Sequence, residues 1–124
     1  MSRLRLAAFP QKLAVCRLSP GAPVPPWVRG EFTSVTRTAE ELSIICDQDA
    51  VPGDVQAERG WRMLRVQGPI PFEMTGVAAG LVAPLAQAGI SVFLLSTYDT
   101  DYLLVKEDAF EHGLEVLRAT HDVA

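Results

Sequence analysis

The stretch GISVFLLSTYDTDYLLVKEDAF, residues 89–110, indicates the fold more clearly than any other part of the chain. Two apolar segments, Val92–Thr97 and Asp101–Lys106, flank a short polar turn, and the beginning of a helix follows them. Apolar residues that alternate on both sides of a polar turn are typical of a β-hairpin. The stretch therefore predicts a strand, a turn, a second strand and then a helix.

An earlier stretch has the same plan, because residues 31–51 read EFTSVTRTAEELSIICDQDAV. Pairing Glu41 with Asp101 relates the two stretches by an offset of 60 (101 − 41) and aligns Ile44 with Leu104. A repeated segment of this length indicates a duplicated structural unit. We therefore predict two related halves, of which the second is complete and the first is degenerate.

The elements around the hairpin complete the second half, residues 61–124. We expect a strand at Trp61–Gln67, a helix at Phe72–Ala88, a second helix that starts at Asp108, and an edge strand at His121–Ala124. Together with the hairpin they give the order β-α-β-β-α-β, which is a split βαβ plan. This order predicts an α+β fold with a mostly antiparallel sheet and helices on one face.

The first half, residues 12–60, has the strands of this plan but not its first helix. Strands are expected at Lys12–Leu18, Phe32–Thr36 and Leu42–Asp47. Four prolines fall within Pro20–Pro26, where the complete plan has a helix, and proline cannot continue a helix. We therefore interpret the first half as a copy that has lost this helix to a proline-rich loop.

The helix predicted at Phe72–Ala88 is apolar on nearly every side. Val77, Leu81 and Leu85 recur at four-residue spacing, and few polar residues lie between them. Such a helix must be covered on more than one side, so we expect another subunit or the first half of the chain to cover part of it. The second helix is amphipathic, and Asp108 is expected to be its N-cap, with a glutamate three residues later as capping-box partner.

The composition is that of a soluble globular protein. The chain has 124 residues, 48% hydrophobic residues and a formal net charge of −4, and such an acidic balance argues against general nucleic-acid binding. No apolar segment approaches the roughly 20 residues of a membrane span, so no membrane association is expected. Cys16 and Cys46 lack a metal-ligand spacing and are expected to be small buried side chains in a cytoplasmic protein. Residues Met1–Gln11 are expected to form a loose arm.

Two segments carry polar groups that could bind a small molecule. The hairpin turn contains Asp99 and Asp101, which either bond to their own backbone, as turn aspartates often do, or receive a cation. The link Gly68–Val77 is either an ordinary strand-to-helix connection or a place where free N–H groups and the Thr75 hydroxyl receive an anion. If both segments bind a ligand, their chemistry suits a zwitterion, of which an amino acid is the simplest.

No catalytic or cofactor-binding pattern accompanies these segments. The two histidines, His112 and His121, lie near the C-terminus, and the nucleotide-binding and serine-nucleophile motifs do not occur. A pair of acids without a histidine, a lysine or a metal set around it offers little for catalysis. We therefore expect a non-enzymatic protein without a cofactor or a metal.

Three runs carry a resemblance to a known family: LAVCRLSPGAPVPPWV, FTSVTRTAEELSIIC, and GWRMLRVQGPIPFEMTGVAAGLVAPLAQAGISVFLLSTYDTDYLLVKED. They cover about residues 13–117 and resemble the small bacterial ACT-domain proteins, whose ACT domains are similar to those of the CASTOR arginine sensors and of lysine-sensitive aspartate kinases. The resemblance implies a ferredoxin-like βαββαβ fold in tandem, with a degenerate ACT-like repeat at residues 12–60 and an ACT domain at residues 61–124. It also implies ACT units that assemble side by side, with an amino acid at their interface.

The resemblance also implies which residues meet the ligand. In the similar sensors an aspartate that follows a Ser-Thr pair in the hairpin holds the ligand's basic side chain, and that position falls on Asp101. The ligand's backbone groups would meet the loop and the helix start. The arginine sensor has an acidic residue close to the position of Met74, so this chain departs from it there. The expected ligand-binding residues are Thr75, Gly76, Val77, Ser96, Thr97, Asp99 and Asp101.

We therefore predict a regulatory sensor that binds an amino acid between ACT units, as a homodimer or a larger homo-oligomer. The alternative is a module without a small ligand that binds another protein through its exposed sheet or its apolar helix. The sequence names neither the amino acid nor the regulated partner.

Overall fold

The computed structural model describes residues 3–71 and 73–124 of the chain. Two compact units are distinguishable: a helical unit from residues 1–10 and 62–124, and a strand unit from Gln11–Trp61. In chain order the elements are β1 Arg5–Leu18, β2 Ser34–Arg37, β3 Leu42–Asp47, β4 Ala57–Val66, α1 Val77–Gln87, β5 Phe93–Ser96, β6 Asp101–Lys106, α2 Glu107–Arg118 and β7 Asp122–Val123.

The helical unit contains the complete βαββαβ order, which runs β4, α1, β5, β6, α2 and β7. Within it β1, β4, β6 and β5 lie side by side in this order, and β7 pairs in parallel with β1. Apolar side chains from the strands and both helices form one core, among them Leu64, Leu81, Leu103 and Leu117, which are all fully buried. The predicted α+β fold is therefore confirmed.

The strand unit consists of β2, β3, β1 and the beginning of β4, in this order across the sheet. Both neighbours of β3 are antiparallel to it. Residues 19–33, all of which are described, contain no helix, and Ala22, Trp27 and Val28 pack against the core in its place. The proline-rich loop therefore covers the sheet where the helical unit has α1, as predicted. The buried core residues are Ala14, Cys16, Leu42, Ile44, Cys46 and Val51.

The two hairpins are equivalent at an offset of 59, so the predicted offset of 60 is wrong. Arg37 pairs with Leu42 across β2 and β3, and Ser96 pairs with Asp101 across β5 and β6. Both differences, 96 − 37 and 101 − 42, equal 59. The error arose because runs of several apolar residues in β3 and β6 match almost equally well when one of them is shifted by one position.

The turns of the two hairpins confirm this equivalence. The Thr38 N–H donates to the Glu41 carbonyl at 2.9 Å, and the Thr97 N–H donates to the Thr100 carbonyl at 2.9 Å. In each turn the threonine hydroxyl also donates to the same carbonyl. Because side chains alternate between the faces of a strand, a shift of one residue assigns every side chain to the wrong face.

Strand β1 is longer than predicted. Most of the loose arm expected at Met1–Gln11 is strand, because β1 begins at Arg5. Leu6, only 1% exposed, belongs to the core of the helical unit, and β7 pairs with this part of β1. The first two residues of the predicted arm, Met1 and Ser2, lie outside the described residues.

Both helices begin at residues other than the predicted ones. The helix expected at Phe72–Ala88 begins only after Gly76, which takes the left-handed conformation, with φ 78°, as N-cap; Phe72 itself lies outside the described residues. Helix α2 begins at Glu107 with Lys106 as N-cap, so the N-cap predicted at Asp108 is wrong. Asp108 lies in the first turn instead, where an acidic side chain interacts favourably with the helix dipole.

Helix α1 combines a buried face of large side chains with an exposed face of small ones. Val77, Leu81 and Leu85 are buried in the core of the helical unit, and α1 contacts α2. The exposed residues of this helix are Ala78, Ala79, Ala83, Ala86 and Gln87. The helix is apolar on nearly every side because alanines form its solvent face, and its coverage by another subunit stays a prediction.

Candidate functional site

A small cavity of about 170 Å³ lies in the helical unit between the β5–β6 turn and the loop that precedes α1. Its lining residues come from both segments that the sequence analysis singled out. They are Ile70, Pro71, Met74, Val77, Ser96, Thr97, Tyr98, Asp99, Thr100 and Asp101. The acidic hairpin turn and the link from strand to helix therefore form two walls of one cavity.

The predicted ligand-binding residues divide into two groups. Five of them line the cavity: Val77, Ser96, Thr97, Asp99 and Asp101. Thr75 and Gly76 are exposed and do not line it, although Met74 before them and Val77 after them do. The structure thus brings together the hairpin residues and the first residue of α1.

The sequence analysis missed several lining residues. Tyr98 and Thr100 alternate with the predicted aspartates in the turn, and Ile70, Pro71 and Met74 lie in the link before α1. The sequence offered one indication of them, because all five lie inside the hairpin turn or the link that had been singled out. None of their side chains is charged, and the sequence analysis gave most weight to the charged groups that a zwitterion would meet.

The hairpin wall presents a carboxylate that one hydroxyl already orients. The Ser96 Oγ–H donates to Asp101 Oδ1 at 2.6 Å, and this pair is adjacent across β5 and β6. A carboxylate accepts hydrogen bonds at both of its oxygens. Asp101 can therefore hold the serine and the cationic group of a ligand at the same time.

The opposite wall presents the N-terminus of α1. No side chain caps this helix, and its first turn contains no acidic residue. The first N–H groups of a helix have no partner inside it, and they carry the positive end of the helix dipole. Val77, the first helical residue, lines the cavity, so this wall favours an anionic group.

The charges around the cavity are of one sign. Among the described lining residues only Asp99 and Asp101 are charged, and no lysine or arginine is present to neutralise them. Two exposed apolar side chains, Met74 and Tyr98, belong to opposite walls; Tyr98 is 81% exposed. The hairpin wall therefore favours a cation, and apolar surface is available beside it.

The equivalent turn of the strand unit does not repeat this chemistry. At the offset of 59, Arg37 takes the place of Ser96 and the buried Leu42 takes the place of Asp101. The Arg37 guanidinium donates to the carbonyl of Pro20. The serine–aspartate pair therefore occurs only in the hairpin of the helical unit.

The described parts of the chain, residues 3–71 and 73–124, contain neither a metal-binding cluster nor a membrane-spanning helix. No group of three or more His, Cys, Asp and Glu side chains is arranged to hold a metal ion. No helix there is long and apolar enough to cross a membrane.

Comparisons with known proteins give the family context of this site. A family model described as the ACT domain matches residues 56–119, and a model of an N-terminal domain matches residues 11–54. The chain is 41% identical over 89 residues to a Bos taurus protein named cytosolic arginine sensor for mTORC1 subunit 1. That match covers 65% of this chain but only 27% of the bovine protein, so the chain spans about a quarter of its relative.

Two solved structures resemble the chain over 93% or more of its length. A crystal structure of a protein from Agobacterium tumefaciens is 36% identical, has a TM-score of 0.93, and is matched over 100% of this chain and 94% of that one. The regulatory subunit of aspartate kinase from Thermus thermophilus is 11% identical with a TM-score of 0.65, over 93% of this chain and 95% of that one. The second likeness concerns the fold alone.

Proposed function

Since the chain belongs to the ACT-domain family, we propose that it is a regulatory domain that binds an amino acid in the cavity between the β5–β6 turn and α1. One observation carries the proposal: an acidic turn and an uncapped helix N-terminus line the same cavity. An ammonium group would contact Asp101, and a carboxylate would contact the first turn of α1. The proposed contact residues are Thr75, Gly76, Val77, Ser96, Thr97, Asp99 and Asp101.

The role we infer is regulatory and non-enzymatic. The bovine relative is named a sensor, and the Thermus thermophilus structure is named a regulatory subunit. A second copy of the chain, in a homodimer or a larger homo-oligomer, would complete the cavity, and a ligand held between copies would then shift their packing. The bovine relative is named cytosolic, which supports a cytoplasmic location for this chain.

Thermal unfolding in the presence of each of the twenty amino acids tests the proposal. A ligand at 100 times its Kd stabilises the folded chain by roughly 2.7 kcal/mol, which a melting curve detects readily. Asp101→Asn keeps the shape of the side chain and an acceptor for Ser96 but removes the charge. We expect it to weaken binding at least about tenfold, the factor of one charged hydrogen bond.

Asp108→Asn is the matched control, because Asp108 is exposed in the first turn of α2 and outside the cavity lining. It should bind as the unchanged chain does. The proposal fails if no amino acid raises the melting temperature, or if Asp101→Asn binds with unchanged affinity.

A second function, binding of another protein without a small ligand, is favoured by the exposed alanine face of α1. Leu81 is fully buried in the core, so a substitution there would disturb folding rather than this face. Ala79→Glu places a charge on the exposed face instead. If Ala79→Glu abolishes association with a partner protein while Asp101→Asn leaves it intact, the interaction module gains over the amino-acid sensor.

A further inference from the structure

Thr100 is buried although it lies in the polar turn of the hairpin. It is 3% exposed, and its hydroxyl donates to the carbonyl of Val66, the last residue of β4, at 2.6 Å. A buried hydroxyl without a partner costs free energy, and this one is satisfied by backbone that leads into the opposite wall of the cavity. The bond therefore connects the hairpin wall to the strand that leads into the other wall.

A second hydrogen bond, next to the one made by Thr100, connects the hairpin turn to the link. The Ile70 N–H donates to the Asp99 carbonyl at 2.7 Å. Between these two bonds, the Cβ of any residue other than glycine at position 68 would stand 3.1 Å from the Asp99 carbonyl oxygen and 3.2 Å from the Thr100 Cβ. Gly68 therefore allows the turn and the link to approach more closely than side chains ordinarily permit.

The Thr100 hydroxyl is not needed to close the turn itself. In the equivalent turn of the strand unit, Glu41 stands where Thr100 stands, at the offset of 59. That turn closes with the same hydrogen bond from Thr38, at the same distance of 2.9 Å. The hydroxyl to Val66 is thus an addition to the hairpin that carries the acidic pair.

From these contacts we infer that Thr100 is a positioning residue, which fixes the acidic turn against β4 and so against the link that follows β4 and forms the other wall of the cavity. Its neighbours in the chain, Asp99 and Asp101, project from the backbone that this hydroxyl anchors. The consequence for ligand affinity rests on the proposed function, whereas the mechanical connection between the walls does not.

Amide hydrogen exchange of the full chain, followed by NMR without ligand, tests the connection. Thr100→Val keeps the shape and removes the hydroxyl, Thr100→Ser restores a hydroxyl, and Thr36→Val makes the same change at an exposed position in β2. We expect the Ile70 amide to exchange about tenfold faster in Thr100→Val, the factor of one buried hydrogen bond. Thr100→Ser should return the exchange rate of the Ile70 amide to within about twofold of its value in the unchanged chain. Thr36→Val should leave this rate unchanged.

Amides in α2, such as that of Leu114, distinguish positioning from general stability. They should keep their exchange rate in Thr100→Val, because the loosening is confined to the cavity walls. An unchanged rate at Ile70 overturns the inference. An equal acceleration at Ile70 and Leu114 also overturns it, because the hydroxyl would then serve only global stability.

Calorimetric titration with the twenty amino acids extends the test to binding. For any amino acid that binds the unchanged chain, Thr100→Val should raise the Kd at least about fivefold and Thr100→Ser should restore it. An unchanged Kd in Thr100→Val overturns the positioning role. If the unchanged chain binds none of the twenty, the proposed function fails, and the exchange rates still decide whether Thr100 connects the walls.

Discussion

His121 provides a direct test of how the helical unit is held together. The side chain is 1% exposed, and its Nδ1 accepts the N–H of Leu4 at 3.1 Å. The ring proton must then lie on Nε2, which is 3.0 Å from the carbonyl of Gly80. Pro84, four residues after Gly80 in α1, has no N–H to give to that carbonyl. His121 therefore supplies a hydrogen bond that the proline removed from the helix.

The size of the effect follows from the two backbone groups that depend on this ring. His121→Ala leaves the N–H of Leu4 and the carbonyl of Gly80 without their imidazole partner. Each partly buried group that loses its hydrogen bond costs about 1–3 kcal/mol. We expect the free energy of unfolding to fall by about 2–6 kcal/mol.

A double-mutant cycle with Pro84→Ala isolates the bond to Gly80. The alanine introduces an N–H that can bond to the carbonyl of Gly80 within the helix, so the loss of His121 should then cost about 1 kcal/mol less. Urea unfolding monitored by circular dichroism at the helical band is the suitable assay, because α1 and α2 both belong to the helical unit. The cavity left by the missing ring cancels, because it is present in both backgrounds. If the free-energy costs of His121→Ala and Pro84→Ala sum to the cost of the double variant within about 0.5 kcal/mol, the two residues are not coupled and the reasoning is refuted.

Further predictions concern the strand unit. Gly30 has a φ of 139°, and a Cβ there would stand 2.5 Å from Asp47 Oδ1, so Gly30→Ala should lower the free energy of unfolding by about 1–3 kcal/mol. Gly21→Ala is the control, because a Cβ there meets nothing within 4 Å; it should change the free energy of unfolding by less than about 0.5 kcal/mol. Urea unfolding followed by tryptophan fluorescence measures both variants. Burial raises the pKa of Cys16 from 9.0 to about 11 and also raises the pKa of Cys46. The folded chain then keeps protons that the unfolded chain loses, so stability should fall as pH rises from 9 towards 11, by up to about 1.4 kcal/mol per pH unit for Cys16, with Cys46 acting in the same direction. A Cys16→Ala/Cys46→Ala variant should lose stability less steeply, and an equal slope would contradict this assignment.

The parts of the fold that depend on local pattern were predictable. Strands β3 and β6 have the predicted bounds, Leu42–Asp47 and Asp101–Lys106, because runs of apolar residues between polar turns specify a strand locally. The acidic turn was singled out from the sequence because its residues are contiguous, and these residues line the cavity. The proline-rich loop was also predictable, because the absence of an N–H in proline acts on the residues beside it.

The parts that depend on distant partners were not predictable. The beginning of β1 was expected to be a loose arm because its partner, β7, lies at the opposite end of the chain. The buried position of Thr100 depends on Val66, which is distant in the sequence. The hydrogen bonds of His121 to Leu4 and Gly80 likewise join residues that are distant in the sequence. Such contacts are fixed by the packing of whole elements, which a local pattern does not contain.

The offset between the repeats shows how a small error in register changes a functional interpretation. With an offset of 60, Glu41 would correspond to Asp101 and Thr36 to Ser96, and both hairpins would carry a hydroxyl beside a carboxylate. Hairpin pairing instead gives an offset of 59. In a strand this single step exchanges the two faces, and Arg37 and Leu42 then occupy the positions of Ser96 and Asp101.

The number of ligands per chain follows from this register. Leu42 is fully buried where the helical unit has Asp101, and the Arg37 guanidinium bonds to the carbonyl of Pro20. An ammonium group placed at this turn would meet an apolar leucine, and no carboxylate, at the Asp101 position. We therefore expect calorimetry to give one bound amino acid per chain for any amino acid that binds. Two equivalent amino acids per chain would show that the strand unit binds by chemistry that differs from the serine–aspartate pair, and the argument from register would be wrong.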